Sequence, residues 1–315
     1  MANTFYTAEQ VAKVAVAMAT QDSFLGALVN RNFENDLLGG GGKGRTVNVR
    51  VPSALIARSR GIDDVTTNIV LDSLTETTVP VSLGEHIYNA VGLSEGDLTL
   101  NLEDFSKQVL APQVDAVVES VEDEVAKALK SITLDTSIKW SDADPVKTFT
   151  AIRKELRKRG VPATNLNVVV GTDVYAALLD AKAITDASES GSTAALRDAN
   201  VGKVRGFNIV ESTRVDDGEI VAFHRDAFTL AVRAPIVPAG ASFGQSISGG
   251  GYSLRYLRDY DVTKTIDRSM VSTFAGVAAM PLYKIERDHT AKTASVVEVP
   301  GGAALRMSIS DAEPA

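Results

Sequence analysis

The chain has 315 residues, 44% of them hydrophobic, and a formal charge of −8 at pH 7, enough to bury a sizeable core in two or three lobes. It has no apolar run of about eighteen residues and no basic-then-apolar leader, so a soluble, non-exported protein is expected. The absence of cysteine excludes disulfides and thiolate-ligated metals and fits a reducing compartment, and the acidic balance excludes a dedicated nucleic-acid reader, leaving only weak local contact with DNA.

Thr7-Ala8-Glu9-Gln10 has capping-box spacing, and Val11, Val14, Ala15 and Met18 recur at helical intervals, which predicts a helix over 8–19. A second helical stretch is expected through Leu25, Leu28 and Val29. The run Gly39 to Gly42 then frees the backbone, so a mobile N-terminal arm is expected. From Thr46 to Val51 the pattern turns to alternation, with Val47, Val49 and Val51 on one face of a half-buried strand. Arg58 to Asp64 reads as a polar tip. Val65 to Leu71 and Val79, Val81 and Leu83 read as return strands. Such a ribbon has little core of its own, so it and the arm before it are expected to lie on neighbouring copies.

A long helix is expected next, with Asn101 and Asp104 at its start, Pro112 marking a kink or a beginning, and Val114, Val117, Val121, Val125 and Ala128 as a narrow apolar stripe. Asp123 and Lys127 are spaced to pair, and Glu119, Glu122, Asp123 and Glu124 read as its solvated face. An α/β domain follows. Asp144 caps a helix that begins at Pro145 and stops at Gly160, Val168 to Val170 is a buried strand, and Thr172 starts a helix to Leu179. Residues 185–200 read as a surface loop. Strands are expected at 207–210, 220–223, 228–232 and 252–260, the last closing the domain. Residues 261–287 return to a β-containing region, and the tail beyond 290 holds one apolar run, Ala294 to Val299, before a flexible acidic end.

No pattern in the chain carries catalysis. Gly39 to Thr46 reads GGGGKGRT, but Arg45 stands where a phosphate loop needs lysine, and the segment precedes a strand instead of a helix. His86, His224 and His289 stand alone, without metal-ligand spacing. No GxSxG elbow or opposed carboxylate pair is present. The run Arg153, Lys154, Arg157, Lys158, Arg159 occupies the last turns of one helix, where positive charge suits the dipole. No catalytic residue, cofactor or metal is therefore expected.

Three stretches carry a family likeness: residues 5–52 with LVNRNFENDLLGGGGKGRTVNVRVP, residues 85–129 with LNLEDFSKQVLAPQVDAVVESVEDEVAKAL, and residues 202–233 with GKVRGFNIVEST and VAFHRDAFTLAVR. In this order the chain resembles the major capsid proteins of tailed bacteriophages with the Hong Kong 97-type fold. The resemblance implies an α+β capsid fold: an N-terminal arm at 1–44, an extended loop at 45–90, a peripheral domain with a spine helix at 91–140 and 256–290, an axial domain at 141–255 and a tail at 291–315.

It also implies a non-enzymatic subunit of an icosahedral virion shell, assembled in the bacterial host cytoplasm as pentamers and hexamers. The implied partners are a separate scaffolding protein, a portal and non-specific packaged DNA on the inner face, without a membrane. Whether a decoration protein also binds is left open. The candidate intersubunit residues are Val47, Val49, Val51, Arg58 and Arg60, and the candidate hinge is Gly40, Gly41 and Gly42. No lysine lies between Lys43 and Lys107, so the lysine-to-asparagine cross-link of one branch of the family is not expected. The alternatives are an encapsulin-type nanocompartment shell and a cytosolic α/β enzyme centred on 140–260.

Overall fold

Alanine and valine at helical spacing build the first element, α1 (Ala8–Asp22), which buries Ala12, Ala15, Val16 and Ala19 and keeps Glu9 and Lys13 outside as an i, i+4 pair at 2.6 Å. The computed structural model describes residues 8–22, 24–31, 46–51, 55–66, 68–72, 74, 77–95, 105–142, 144–181, 201–241, 243–249, 252–288, 290 and 293–311. In place of a second helix the chain makes one 3₁₀ turn at Leu25–Ala27. β1 (Thr46–Val51) and β2 (Thr77–Ser82) form a two-stranded sheet. The described residues of the expected return strand over 65–71 form no ladder, and among the described residues β2 alone returns to β1.

β3 (Glu85–Ser94) leads towards α2 (Ala111–Lys130), which follows a single π turn at Ser106–Leu110. Pro112 sits at the second α-helical position. Its missing N–H and its ring would conflict with the carbonyl four residues back in a continuous α-helix, and the wider turn before it removes that conflict. The expected helix starts at Asn101 and Asp104 lie outside the described residues.

α3 (Pro145–Lys158) forms as its sequence predicts. The Asp144 side chain accepts from the Lys147 N–H at 3.2 Å, Pro145 opens the helix, and Gly160 ends it at φ +92°, which glycine adopts without strain. Next come β4 (Leu166–Val170), α4 (Thr172–Asp180), β5 (Lys203–Val204), β6 (Phe207–Glu211), β7 (Glu219–His224) and β8 (Phe228–Arg233). The last strands are β9 (Phe243–Gly249), β10 (Tyr252–Asp261), β11 (Ile266–Ala279), β12 (Leu282–Asp288), β13 (Thr293–Val299) and β14 (Ala304–Ser308).

The described residues fall into two units. The first, within 1–47, 81–129 and 228–278, holds an antiparallel sheet in the order β3-β11-β10-β9, with β8 pairing β11. β10, expected to close the α/β domain, instead runs through the centre of this sheet, because its alternating Tyr252, Leu254 and Tyr256 are needed as core, each 1% exposed. α1 lies on β9 and β10. α2 buries Val114, Val117, Val118, Val121, Val125 and Leu129, a wider stripe than expected. It is fixed to the sheet by Gln113, whose amide donates to the Ser269 carbonyl at 3.0 Å and accepts from the Ser269 hydroxyl at 2.7 Å. Both partners are buried, so the amide is satisfied without water.

The second unit, within 48–80, 130–227 and 279–315, holds a sheet in the order β14-β7-β4-β6-β5, with β4 and β6 parallel and β7 antiparallel to both β4 and β14. Its core is Phe149, Ile152 and Leu156 of α3 with Val168 to Val170, Phe207 and Ile220 to Phe223. The apolar run expected in the tail is a strand, and a second strand follows it. β13 pairs with β12, and β14 is an edge strand with Leu305 and Met307 buried. Residues 312–315 lie outside the described residues.

Between Leu305 and Met307, Arg306 points to the opposite face, where it pairs with buried Glu219 and donates to the Lys130 carbonyl at 2.7 Å. Replacing Arg306 with Met strands a buried carboxylate, and urea unfolding should register a loss of about 3–5 kcal/mol. The double change with Glu219→Leu should recover most of it.

Candidate assembly interface

The chain between β1 and β2 places apolar side chains in water. Leu55, Ile62, Val65, Ile69, Val70, Leu71 and Leu74 are all exposed, from 45% at Leu55 to full exposure at Ile62. Scattered single apolar residues are ordinary at a surface, but seven within twenty positions of one loop are not. Polar contacts hold the loop's shape without covering them. The Arg58 guanidinium donates to Asp72 Oδ1 at 2.5 Å, Arg287 Nε donates to the Leu55 carbonyl at 3.1 Å, and a turn closes from the Asp64 N–H to the Gly61 carbonyl at 3.2 Å. Asp64 Oδ1 accepts from the Thr66 N–H at 2.9 Å and its hydroxyl at 2.8 Å. The hydrogen bond from Arg58 lowers the Asp72 carboxyl below its ordinary value, so the clamp is present at neutral pH and is lost as pH falls through that lowered value.

The expected contact residues separate. Val49 is already buried, at 9% exposure, so its burial does not wait for a neighbour. The side chains of Val47 and Val51, and the whole of Gly40, Gly41 and Gly42, lie outside the described residues. Arg58 faces Asp72 within its own loop, and Arg60 is exposed. The larger apolar surface belongs to Ile62 through Leu74, which the strand pattern assigned to a ribbon.

The N-terminal segment over 8–31 departs from the expectation that it lies on a sibling copy. It has partners within the chain, and the decisive one is Glu122. This carboxylate, 2% exposed, accepts the backbone N–H groups of Phe24, Leu25 and Gly26 at 3.3, 2.5 and 3.0 Å and the Tyr252 hydroxyl at 3.4 Å. Three orphan donors opening a 3₁₀ turn converge on one anion, the arrangement that makes helix starts attract carboxylates. Beyond it, Arg31 stacks over the Tyr252 ring at 4.5 Å, and Asn30 exchanges backbone hydrogen bonds of 3.0 Å with Phe228 and Leu230. Glu122 is therefore not part of a solvated acidic face. Only Glu119, Asp123 and Glu124 of that cluster stand near solvent, and Lys127 pairs with Glu124 instead of Asp123.

The basic run on α3 is structural where it is tied down. Arg159 reaches Asp135 at 3.1 Å, Glu155 at 3.3 Å and the Ala304 carbonyl at 3.1 Å, Arg157 donates to the Val161 carbonyl, and Arg153 to the Arg205 carbonyl. Burial raises the Asp135 carboxyl, but the Ser137 hydroxyl and N–H and the Arg159 charge outweigh it, so the net shift is downward. His86 packs on Phe274 and Tyr88 and is lowered by burial and then by the Arg255 charge, and buried His224 accepts from the Asp226 N–H. His289 lies outside the described residues. Among the described residues no cluster of histidine and carboxylate side chains is arranged to hold a metal ion.

The family model described as phage capsid protein matches residues 95–280, more than half of the chain. None of the curated proteins matches the sequence. Among solved structures, the fold is similar to a chain from Mycobacterium phage Che8, with a TM-score of 0.61 at 20% identity over 98% of this chain and 95% of that one. It is also similar to the capsid of the cyanophage P-SCSP1u, with a TM-score of 0.57 at 10% identity over 84% of each chain. For the mature capsid of bacteriophage PhiM1 the TM-score is 0.50 at 12% identity, over 85% of this chain and 82% of that one.

Because Ile69 and Leu71 touch water in the single chain, changing both to Ser should move subunit stability by no more than about 0.5 kcal/mol per site. The same variant should lose self-association in analytical ultracentrifugation. A drop in stability with association intact would show that the loop serves its own subunit.

Proposed function

The chain belongs to the phage capsid protein family, and from that premise we propose that its copies, as pentamers and hexamers, close an icosahedral shell around packaged DNA. The protein is a major capsid subunit with an α+β Hong Kong 97-type fold. The match to phage capsid proteins favours a virion over the nanocompartment alternative. In this reading the chain catalyses nothing, is assembled in the host cytoplasm with a separate scaffolding protein and a portal, and touches DNA only through non-specific contacts on the inner face.

The observation that carries the assembly mechanism is the exposed apolar loop over 55–74. Each buried aliphatic side chain contributes about 1.5–3 kcal/mol, so covering the loop with a neighbour yields on the order of 10 kcal/mol gross per copy before association costs. A subunit repeated around five-fold and six-fold positions needs such heterologous contacts, because they close into rings. Gly40, Gly41 and Gly42 supply the backbone freedom for the arm to take different angles at the two kinds of position.

The test is expression of the chain and negative-stain imaging. The intact chain should give closed shells, and deletion of residues 52–64 should leave folded subunits that form none. Alanine at Gly40, Gly41 and Gly42 should cut shell yield without lowering the subunit's melting temperature. Normal particles from the deletion variant would remove the loop from the mechanism.

A further inference from the structure

The hairpin of β12 and β13 belongs to neither of the two larger sheets. Its strands pair over seven residues, from Leu282 with Val299 to Asp288 with Thr293, and no further strand among the described residues joins them. A two-stranded sheet standing alone is marginal in water, and three or more strands are needed for stability. The rest of the second unit gives this one little cover. A groove lined by Glu155 and Lys158 of α3 and by Lys284, Glu286 and Val297 runs between the helix and the hairpin. Val296 and Val297, whose side chains point to opposite faces, are 39% and 40% exposed.

The two edges of the hairpin differ. β12 follows Pro281 and carries four charged residues, Lys284, Glu286, Arg287 and Asp288, and Arg287 is engaged by the Leu55 carbonyl. Proline and charge are what keeps an edge strand from pairing with another chain. β13 has neither proline nor lysine and a single charge, Glu298. Beyond its ladder with β12, its backbone makes one further bond among the described residues, from the Gly302 N–H to the Val299 carbonyl. The free edge of β13 is therefore a template for another strand.

The strand that fits this edge best is β13 itself. Two copies laid antiparallel with all seven residues overlapping set Val296 opposite Val296, Ser295 opposite Val297, Ala294 opposite Glu298 and Thr293 opposite Val299. The exposed valine then meets its own counterpart, and each glutamate faces alanine instead of the other glutamate. We infer that β13 pairs antiparallel with the β13 of a second copy of this chain, so that two marginal hairpins become one four-stranded sheet. The contact is isologous and joins subunits in twos, whereas the ring contacts of the proposed shell join them in fives and sixes. In the shell reading, on which this setting rests, the pair sits at a two-fold position between rings. One strand pair is smaller than the roughly 1,200 Å² of a stable interface, so it links subunits that the loop contacts already hold together.

The chain has no cysteine, so one engineered thiol reports the register. Directly opposed residues of an antiparallel ladder have Cα atoms about 4.5–5.5 Å apart, within disulfide reach. Shells of the Val296→Cys variant, mildly oxidised, should therefore give a disulfide-linked dimer on a non-reducing gel. Thr293→Cys, exposed on the same strand, should give none, because the pairing holds the two copies of that position roughly 20 Å apart. Val296→Lys, which sets two ammonium groups face to face, should leave the subunit's melting temperature unaltered and reduce shell yield about tenfold. Val296→Cys shells without the dimer, a dimer just as strong from Thr293→Cys, or wild-type yield from Val296→Lys overturns the inference and leaves the capsid reading standing. If the unaltered chain forms no shells, that reading fails instead, and the same two cysteine variants, oxidised as soluble chains at high concentration, decide the pairing by the presence or absence of the Val296→Cys dimer.

Discussion

The loop between β1 and β2 imposes the constraint from which the subunit's behaviour follows. It keeps seven aliphatic side chains in water while a clamp from Arg58 to Asp72 and a bond from Arg287 to its backbone hold it open. A monomer optimised for its own stability would fold those residues under or replace them with polar ones. Their persistence on a braced loop is what the proposed shell accounts for, in which another copy would complete the apolar burial.

Each unit is stiffened by a buried charged group of its own. In the first unit, the Glu122 carboxylate gathers three backbone donors and a tyrosine hydroxyl, and so ties the N-terminal segment to the same helix that Gln113 fixes to the sheet. In the second, Arg306 pairs with Glu219 and caps the carbonyls at the end of α2's following turn, so the last strand is a structural member of its sheet. Buried charged groups of this kind add little net stability, but each has one satisfying geometry, and that geometry fixes the element that carries it. A braced subunit presents its contact surfaces the same way in every copy.

Much of this was legible in the sequence. Asp144, Pro145 and Gly160 bound α3 through backbone rules that need no tertiary information, and the alternation at Tyr252, Leu254 and Tyr256 identified a strand. What local pattern could not supply was long-range pairing. Glu122 looks like its acidic neighbours because its partners lie 96 to 130 residues away. β10 reads as the next strand of the domain before it, yet pairs with β9 and β11 of the other unit. Val65 to Leu71 has the composition of a strand but finds no strand partner among the described residues, and strand composition without a ladder leaves an exposed loop. The Ala294–Val299 run, read as the one apolar stretch of the tail, pairs as part of β13 with β12, a partner that its composition does not name.

Hydrogen exchange compared between dissociated subunits and assembled particles tests the central claim most directly. Amides over residues 55–74 should exchange rapidly in the free subunit and be protected by about tenfold or more in the particle, while β4 and β7 change little. Equal exchange of that loop in both states, or a chain that remains a monomer with the loop already protected, would contradict the account.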